Sequence, residues 1–155
     1  MSMARQAEIE RQTKETGIEL SLDLEGTESS AETGVGFFDH MLDLLARHAN
    51  IGLQVKATGD LETGSHHTVE DVGIVFGQAL DQALGDRAGI RRYGSAVVPM
   101  DEACAECALD ISGRALSVFR GEIPVTSIAN YETELTEEFF RAVAGGAKMT
   151  LHVDI

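Results

Sequence analysis

The stretch SHHTVEDVGIVFGQAL, residues 65–80, sets His66 and His67 side by side and follows them with Glu70 and Asp71 at the mouth of an apolar run. On a helix, residues four apart share a face. His66 with Glu70, or His67 with Asp71, can therefore present an imidazole nitrogen and a carboxylate oxygen together. Adjacent helical side chains diverge by about 100°, so the two histidines suit two ions better than one. Imidazole plus carboxylate is a borderline ligand set compatible with Mn²⁺, Fe²⁺ or Zn²⁺, and the spacing does not choose among them. The plain alternative is a polar first turn, with Ser65 or Thr68 near the cap and the carboxylates favoured by the helix dipole. It accounts for Glu70 and Asp71 but not for paired histidines. His40 and His48 sit eight apart in DHMLDLLARH, and four of the chain's five histidines fall between His40 and His67. Taken singly, each of these two is an ordinary helical histidine, in the core or on the surface.

These side chains need a scaffold, and the hydrophobic periods outline one. TGIELSLDLEG alternates Ile18, Leu20, Leu22 and Leu24 with polar residues, the period of a half-buried strand, and ARQAEIERQT before it reads as its hairpin partner. FFDHMLDLLARHAN places Phe38, Met41, Leu42 and Leu45 at helical spacing, and IGLQVKATGD returns to a strand. Residues 66–84 form a second helix, stopped by Gly85.

The remainder begins the same order again. Strands are expected at 93–100, 102–112 and 115–121, a helix in TELTEEFFRAVAGGA and a last strand in MTLHVDI. LLARHANIGLQV and AVAGGAKMTLHV align at an offset of 98 residues with identities at Ala46/Ala144, Ala49/Ala147, Leu53/Leu151 and Val55/Val153. The expected fold is α/β of the α+β sandwich type: two pseudo-repeated halves, each a mixed sheet backed by helices. Residues 1–92 make the first half and 93–155 the second, which lacks its last helix, and together they form one compact domain. The apolar face around Met149, Leu151 and Val153 is then expected to lie uncovered.

With 26 acidic against 12 basic side chains, the formal charge of −14 disfavours nucleic acid and anionic membrane surfaces as partners. No apolar run approaches the roughly 20 residues needed to span a bilayer, and MSMARQAEIERQ is too charged for a signal peptide, so a cytoplasmic location is expected. Cys104 and Cys107 form one C-x-x-C, but ACAECALDI reads as a strand and no second Cys/His pair accompanies it, which argues against a redox pair or a zinc site.

The motifs RQTKETGIELSLDLEG, TGVGFFDHMLDLLARH, GDLETGSHHTVEDVGIVFGQAL, LGDRAGIRRYGSAVVPMDEA, LDISGRAL, TELTEEFF and MTLHV together resemble the imidazoleglycerol-phosphate dehydratase family, across nearly the whole chain. That resemblance implies a hydro-lyase of histidine biosynthesis that dehydrates imidazole glycerol phosphate to imidazole acetol phosphate. It implies two Mn²⁺ ions per complete active site, with His66 and Glu70 on one and His67 and His40 on the other, holding the substrate ring as imidazolate on the way to a diazafulvene-like intermediate. Glu15 matches a carboxylate suited to acid/base work, Arg92 and Arg114 match phosphate-binding positions, and His48 borders the same substrate site as His40, His66 and Glu70. The family builds homo-oligomers, trimers assembling to a 24-mer, in which neighbouring subunits complete each metal site; a trimer is the expectation for this chain.

Two departures accompany the resemblance. Relatives carry a second H-H-x-x-E helix and a Ser/Thr-Lys tail after the strand matching MTLHV, and this sequence stops at Ile155. The expectation is a weakly active or inactive form, or alternatively a non-catalytic metal-binding or assembly module of the same fold. Where many relatives have His, this chain has Glu138, the position that the 98-residue offset pairs with His40, and a carboxylate there is still a possible ligand for Mn²⁺.

Overall fold

The computed structural model describes residues 4–155. Strands β1 (Gln6–Gln12) and β2 (Thr16–Asp23) form the expected antiparallel hairpin, and β2 pairs onward with β4 (Gly52–Gly59). The period-two pattern of β2 does what the sequence predicts. Ile18, Leu20 and Leu22 face Ala57, Val55 and Leu53 across the register, and all six are buried. A short strand absent from the sequence reading, β3 (Ser29–Glu32), adds itself parallel to β4, giving the order β1-β2-β4-β3. Four residues of mostly small polar type carry too few alternations to be told from a loop.

The second sheet repeats that order with β5 (Tyr93–Met100), β6 (Ala103–Asp110), β7 (Leu116–Arg120) and β10 (Thr150–Asp154), arranged β5-β6-β10-β7 with β7 parallel to β10. Strands β8 (Ser127–Ile128) and β9 (Tyr131–Glu132) make a two-residue hairpin outside both sheets. Among the described residues, three α-helices pack against the sheets. α1 (Gly36–Ala49) packs on β3 and β4. α2 (His66–Leu84) packs on β1, β2 and β4 with one face and on α3 (Leu135–Ala147) with the other, while α3 covers β7 and β10.

The internal repeat is visible in backbone detail. α1 ends on Asn50 at φ 54, ψ 51 and α3 ends on Lys148 at φ 53, ψ 49, an offset of 98 residues. In each case the next amide also returns to the helix, Ile51 to the Ala46 carbonyl and Met149 to the Ala144 carbonyl, both at 3.1 Å. The two halves thus share strand order and the same helix-stop geometry. α2 has no counterpart among the described residues of the second half.

One expectation fails. Met149, Leu151 and Val153 are buried, because β10 is an interior strand flanked by β6 and β7 and roofed by α3. The uncovered apolar surface lies on the β5–β6 hairpin instead. Val98 and Met100 are 61% and 73% exposed, on the sheet face they share with Val153 through the Val153–Cys107–Ala96 register. Cys107 lies on that same face, where partial burial pushes its thiol pKa up, and the alternation of β6 sends Cys104 to the opposite one. No described helix is long and apolar enough to cross a membrane.

Close approach of α2 and α3 depends on missing side chains. A Cβ on Gly77 would stand 2.4 Å from the Val143 carbonyl oxygen, and one on Gly146 would stand 2.5 Å from that of Ile74. The crossing therefore admits only glycine at these two points, and it fixes the axial position of α2 and its N-terminal histidines.

Candidate active site

The first turn of α2 is pinned to the β1–β2 hairpin by Asp71. Its carboxylate takes an ion pair from Arg11 at 2.6 Å and a short hydrogen bond from the Thr16 hydroxyl. Asp71 is thereby committed to the scaffold, which removes the His67–Asp71 pairing that helical spacing allows. At the hairpin tip, the Thr13 hydroxyl accepts from the amides of Glu15 (3.1 Å) and Thr16 (2.9 Å). Glu15 is thus held exposed at a defined turn, near enough to His67 for its charge to help raise the imidazole pKa.

His66 and Glu70 meet as the spacing predicts, with Nε2 3.4 Å from Oε2 on the exposed face of the helix. The His66 and His67 rings stand 6.0 Å apart, inclined at 61°, so their nitrogens address different directions. His67 Nδ1 lies 2.9 Å from Asp60 Oδ2. This hydrogen bond, together with the charge of Asp60, is the main cause of the raised His67 pKa, and the same bond holds the Asp60 carboxyl below its ordinary range. Ser65, at the N-cap, makes no capping bond. It donates instead to Glu132 of β9, whose pKa is lowered chiefly by that bond and further by His66 nearby. Asp60 and Glu132 were missed by sequence reasoning. Asp60 lies seven residues before His67 and outside the helix, and Glu132 comes from the other half, so no helical period connects either to the histidines.

The arginine pair lies at the second sheet. Arg92 grips Asp110 with Nε at 2.6 Å and Nη2 at 3.1 Å and stacks 5.0 Å over the Tyr93 ring. The grip of Arg92 lowers the Asp110 pKa, and the charge of Arg114, exposed in the loop after β6, lowers it further. Arg92 alone contacts the carboxylate, and Arg114 acts on it through its charge. Glu138, at the repeat position of His40, is held by Arg141 at 2.6 Å on α3. His40 is exposed in the second turn of α1, close enough to Asp43 to lower its pKa slightly beside the dominant Ser29 bond, and His48 is exposed in the last turn. Among the described residues, no three His, Cys, Asp or Glu side chains form a group able to hold a metal ion. One chain offers a single donor pair on α2, His66 with Glu70, a nitrogen and an oxygen of the type borderline divalent cations accept.

Comparison with known proteins decides what this arrangement belongs to. The profile described as imidazoleglycerol-phosphate dehydratase matches residues 33–155. The chain belongs to the imidazoleglycerol-phosphate dehydratase family. Its similarity to the imidazoleglycerol-phosphate dehydratase of Streptococcus sanguinis is 60% identity over 152 residues, covering 97% of this chain and 78% of that protein. The corresponding enzyme of Granulibacter bethesdensis is 57% identical, over 99% of this chain and 79% of its own length. Among solved structures, the imidazoleglycerol-phosphate dehydratase of Staphylococcus aureus superposes with a TM-score of 0.85 at 38% identity, over 96% of this chain and 82% of that one. The fold of the imidazoleglycerol-phosphate dehydratases, two similar sheets enclosing helices, is therefore the fold described above, and the family's place is among the hydro-lyases of histidine biosynthesis.

Proposed function

We propose that the chain performs metal-assisted dehydration of imidazole glycerol phosphate to imidazole acetol phosphate, and that the residue cluster at the start of α2 is where it does so. The observation that carries this reading is the pairing of His66 with Glu70 on the first turns of α2, beside His67, with the exposed hairpin carboxylate Glu15 near enough to His67 for their charges to interact and the helix tied to the hairpin through Asp71. His66 and Glu70 would hold one divalent cation and His67 with His40 the other, with Glu138 as a further carboxylate ligand. Mn²⁺, two per complete site, fits the mixed nitrogen and oxygen donors. When bound, such cations stabilise the imidazole ring as an anion and so make the neighbouring C–H more acidic.

The protein's own groups do the rest. Glu15, exposed at the hairpin tip with its charge felt by His67, moves the proton between carbon, solvent and the departing hydroxyl. Arg92 and Arg114 bind the substrate phosphate, for which Arg92 exchanges the two oxygens of Asp110 for two of the phosphate. His48 borders the bound substrate. Local positive charge is necessary here because a chain of net charge −14 otherwise repels an anionic ligand. Residues 1–92 and 93–155 act as two half-repeats of one domain. Neighbouring subunits of a homo-oligomer, a trimer in the first instance, supply the donors that a single chain lacks, and the enzyme works in the cytoplasm.

The test is conversion of imidazole glycerol phosphate with and without Mn²⁺, in the parent chain and in His66→Ala. Mn²⁺-dependent dehydration that falls at least about 100-fold in His66→Ala is expected from loss of a ligand and its positioning. Tight Mn²⁺ binding with no turnover at all would replace the enzyme reading by that of a non-catalytic metal-binding module.

A further inference from the structure

We propose that Asp60 is a positioning residue that locks His67 as the Nδ1–H tautomer and so reserves its Nε2 lone pair for a metal ion. The inference rests on the reading of His67 as a metal ligand and deepens it.

An ionised carboxylate can only accept hydrogen bonds. With Asp60 Oδ2 2.9 Å from His67 Nδ1, the proton of the neutral ring must sit on Nδ1, and Nε2 is left as the lone-pair nitrogen. The carboxylate is itself held from the other side. Asp60 precedes a single 3-10 turn, Leu61–Thr63, whose last residue donates its hydroxyl to Asp60 Oδ2 at 3.0 Å and to the Asp60 carbonyl at 2.9 Å, while the Thr63 amide reaches the same carbonyl at 2.8 Å. This turn leads through Gly64, at φ 112, directly to the helix cap, so the acceptor and the ring belong to one rigid connection between β4 and α2.

Burial of the second carboxylate oxygen points the same way. Asp60 Oδ1 is shielded from solvent without a hydrogen-bond partner, an arrangement that costs free energy. The charge is kept beside the imidazole and the Thr63 hydroxyl. That is the pattern of a carboxylate behind a metal-binding histidine, which orients the ring and increases its basicity. Replacement by the amide reverses the logic. An Asn side chain can turn its NH₂ toward Nδ1, which then becomes the acceptor, and the proton moves to the nitrogen that the metal needs.

The experiment reads tautomer and metal affinity separately. Two-bond ¹H–¹⁵N correlation spectra of the metal-free protein, labelled at histidine and held well above neutral pH, report which His67 nitrogen carries the proton. Mn²⁺ titration followed by the electron paramagnetic resonance of the free ion reports affinity. The parent chain is expected to show Nδ1–H at His67. Asp60→Asn is expected to shift His67 toward Nε2–H and to weaken Mn²⁺ binding about 10–100-fold. Asp60→Glu is expected to recover part of both. Thr63→Val, which leaves the carboxylate in place but unpins it, moves both readouts in the same direction by less, and it serves if Asp60→Asn fails to fold. An unchanged tautomer in Asp60→Asn, with Mn²⁺ binding still lost in His67→Ala, would overturn the positioning role while leaving the ligand reading intact. Unchanged Mn²⁺ binding in His67→Ala would overturn the ligand reading, and this proposal with it.

Discussion

At the scale of single residues, carboxylates decide how the site is built, and three of them, Asp60, Glu132 and Asp110, were invisible as such in the sequence. Helical spacing offers Glu70 and Asp71 as equivalent partners for the two histidines. Folding separates them, because Arg11 and Thr16 of the hairpin claim Asp71 and leave Glu70 beside His66. Asp71→Ala is expected to lower stability by about 1–3 kcal/mol, since it leaves the Arg11 and Thr16 groups without their acceptor. It also frees the hairpin tip, so a loss of turnover larger than the loss of Mn²⁺ affinity should accompany it, measured by urea unfolding and kinetics side by side. A second residue-level prediction concerns Asp110, whose folded pKa is depressed by the grip of Arg92. A depressed acid stabilises the fold above its unfolded pKa and loses that contribution as pH falls through its folded value. The Asp110 carboxyl carbon should therefore titrate below an ordinary aspartate by NMR. In Arg92→Ala the midpoint should rise toward the ordinary value, and it should rise likewise in neither His48→Ala nor Glu138→Ala. Asp110 titrating normally in the parent chain would remove the clasp from solution.

At the scale of elements, the strongly periodic segments were legible and the short ones were not. The alternation in TGIELSLDLEG and the helical spacing in FFDHMLDLLARH appear as β2 and α1 because each buries one clear face: Ile18, Leu20 and Leu22 in the strand, Phe38 and Leu42 in the helix. β3 and the β8–β9 hairpin carry no such period, and their place is set by pairing and by loop contacts that sequence spacing does not encode. The buried state of Leu151 and Val153 was misread for a related reason, since strand order in the sheet, not position in the chain, decides what covers a strand. The α2–α3 crossing yields the element-level prediction. Gly77→Ala places a methyl against the Val143 carbonyl and the Ala147 amide, backbone atoms that cannot swing aside, and should lower stability by about 1–3 kcal/mol. Gly145→Ala, on the open side of α3 next to the intolerant Gly146, meets nothing within 4 Å and should raise stability by about 0.4–1 kcal/mol. Urea midpoints of the two variants, moving in opposite directions from the parent, are the check.

At the scale of the whole molecule, the repeat explains the likeness of the halves. Each half presents strands, a helix and a left-handed helix stop in the same order, yet the histidine pair exists only on α2, and the repeat partner of His40 is Glu138. On the proposed reading, donors from a second chain complete the cation sphere, and an ion bridging two chains stabilises only the assembled form. Sedimentation is expected to show larger species with Mn²⁺ than with chelator, and His66→Ala should abolish that difference; identical profiles in all samples would remove the bridging idea. The claim on which the account turns is that Glu15 does chemistry beside a metal cluster it does not itself build. Turnover of imidazole glycerol phosphate by Glu15→Gln at saturating Mn²⁺, set against the parent chain, tests it most directly. Unchanged Mn²⁺ affinity is expected, with kcat reduced about 100-fold or more, the loss that follows removal of a positioned acid/base. An unchanged kcat would contradict it, for the proton would then be moved by another group and the hairpin tip would have no part in the reaction.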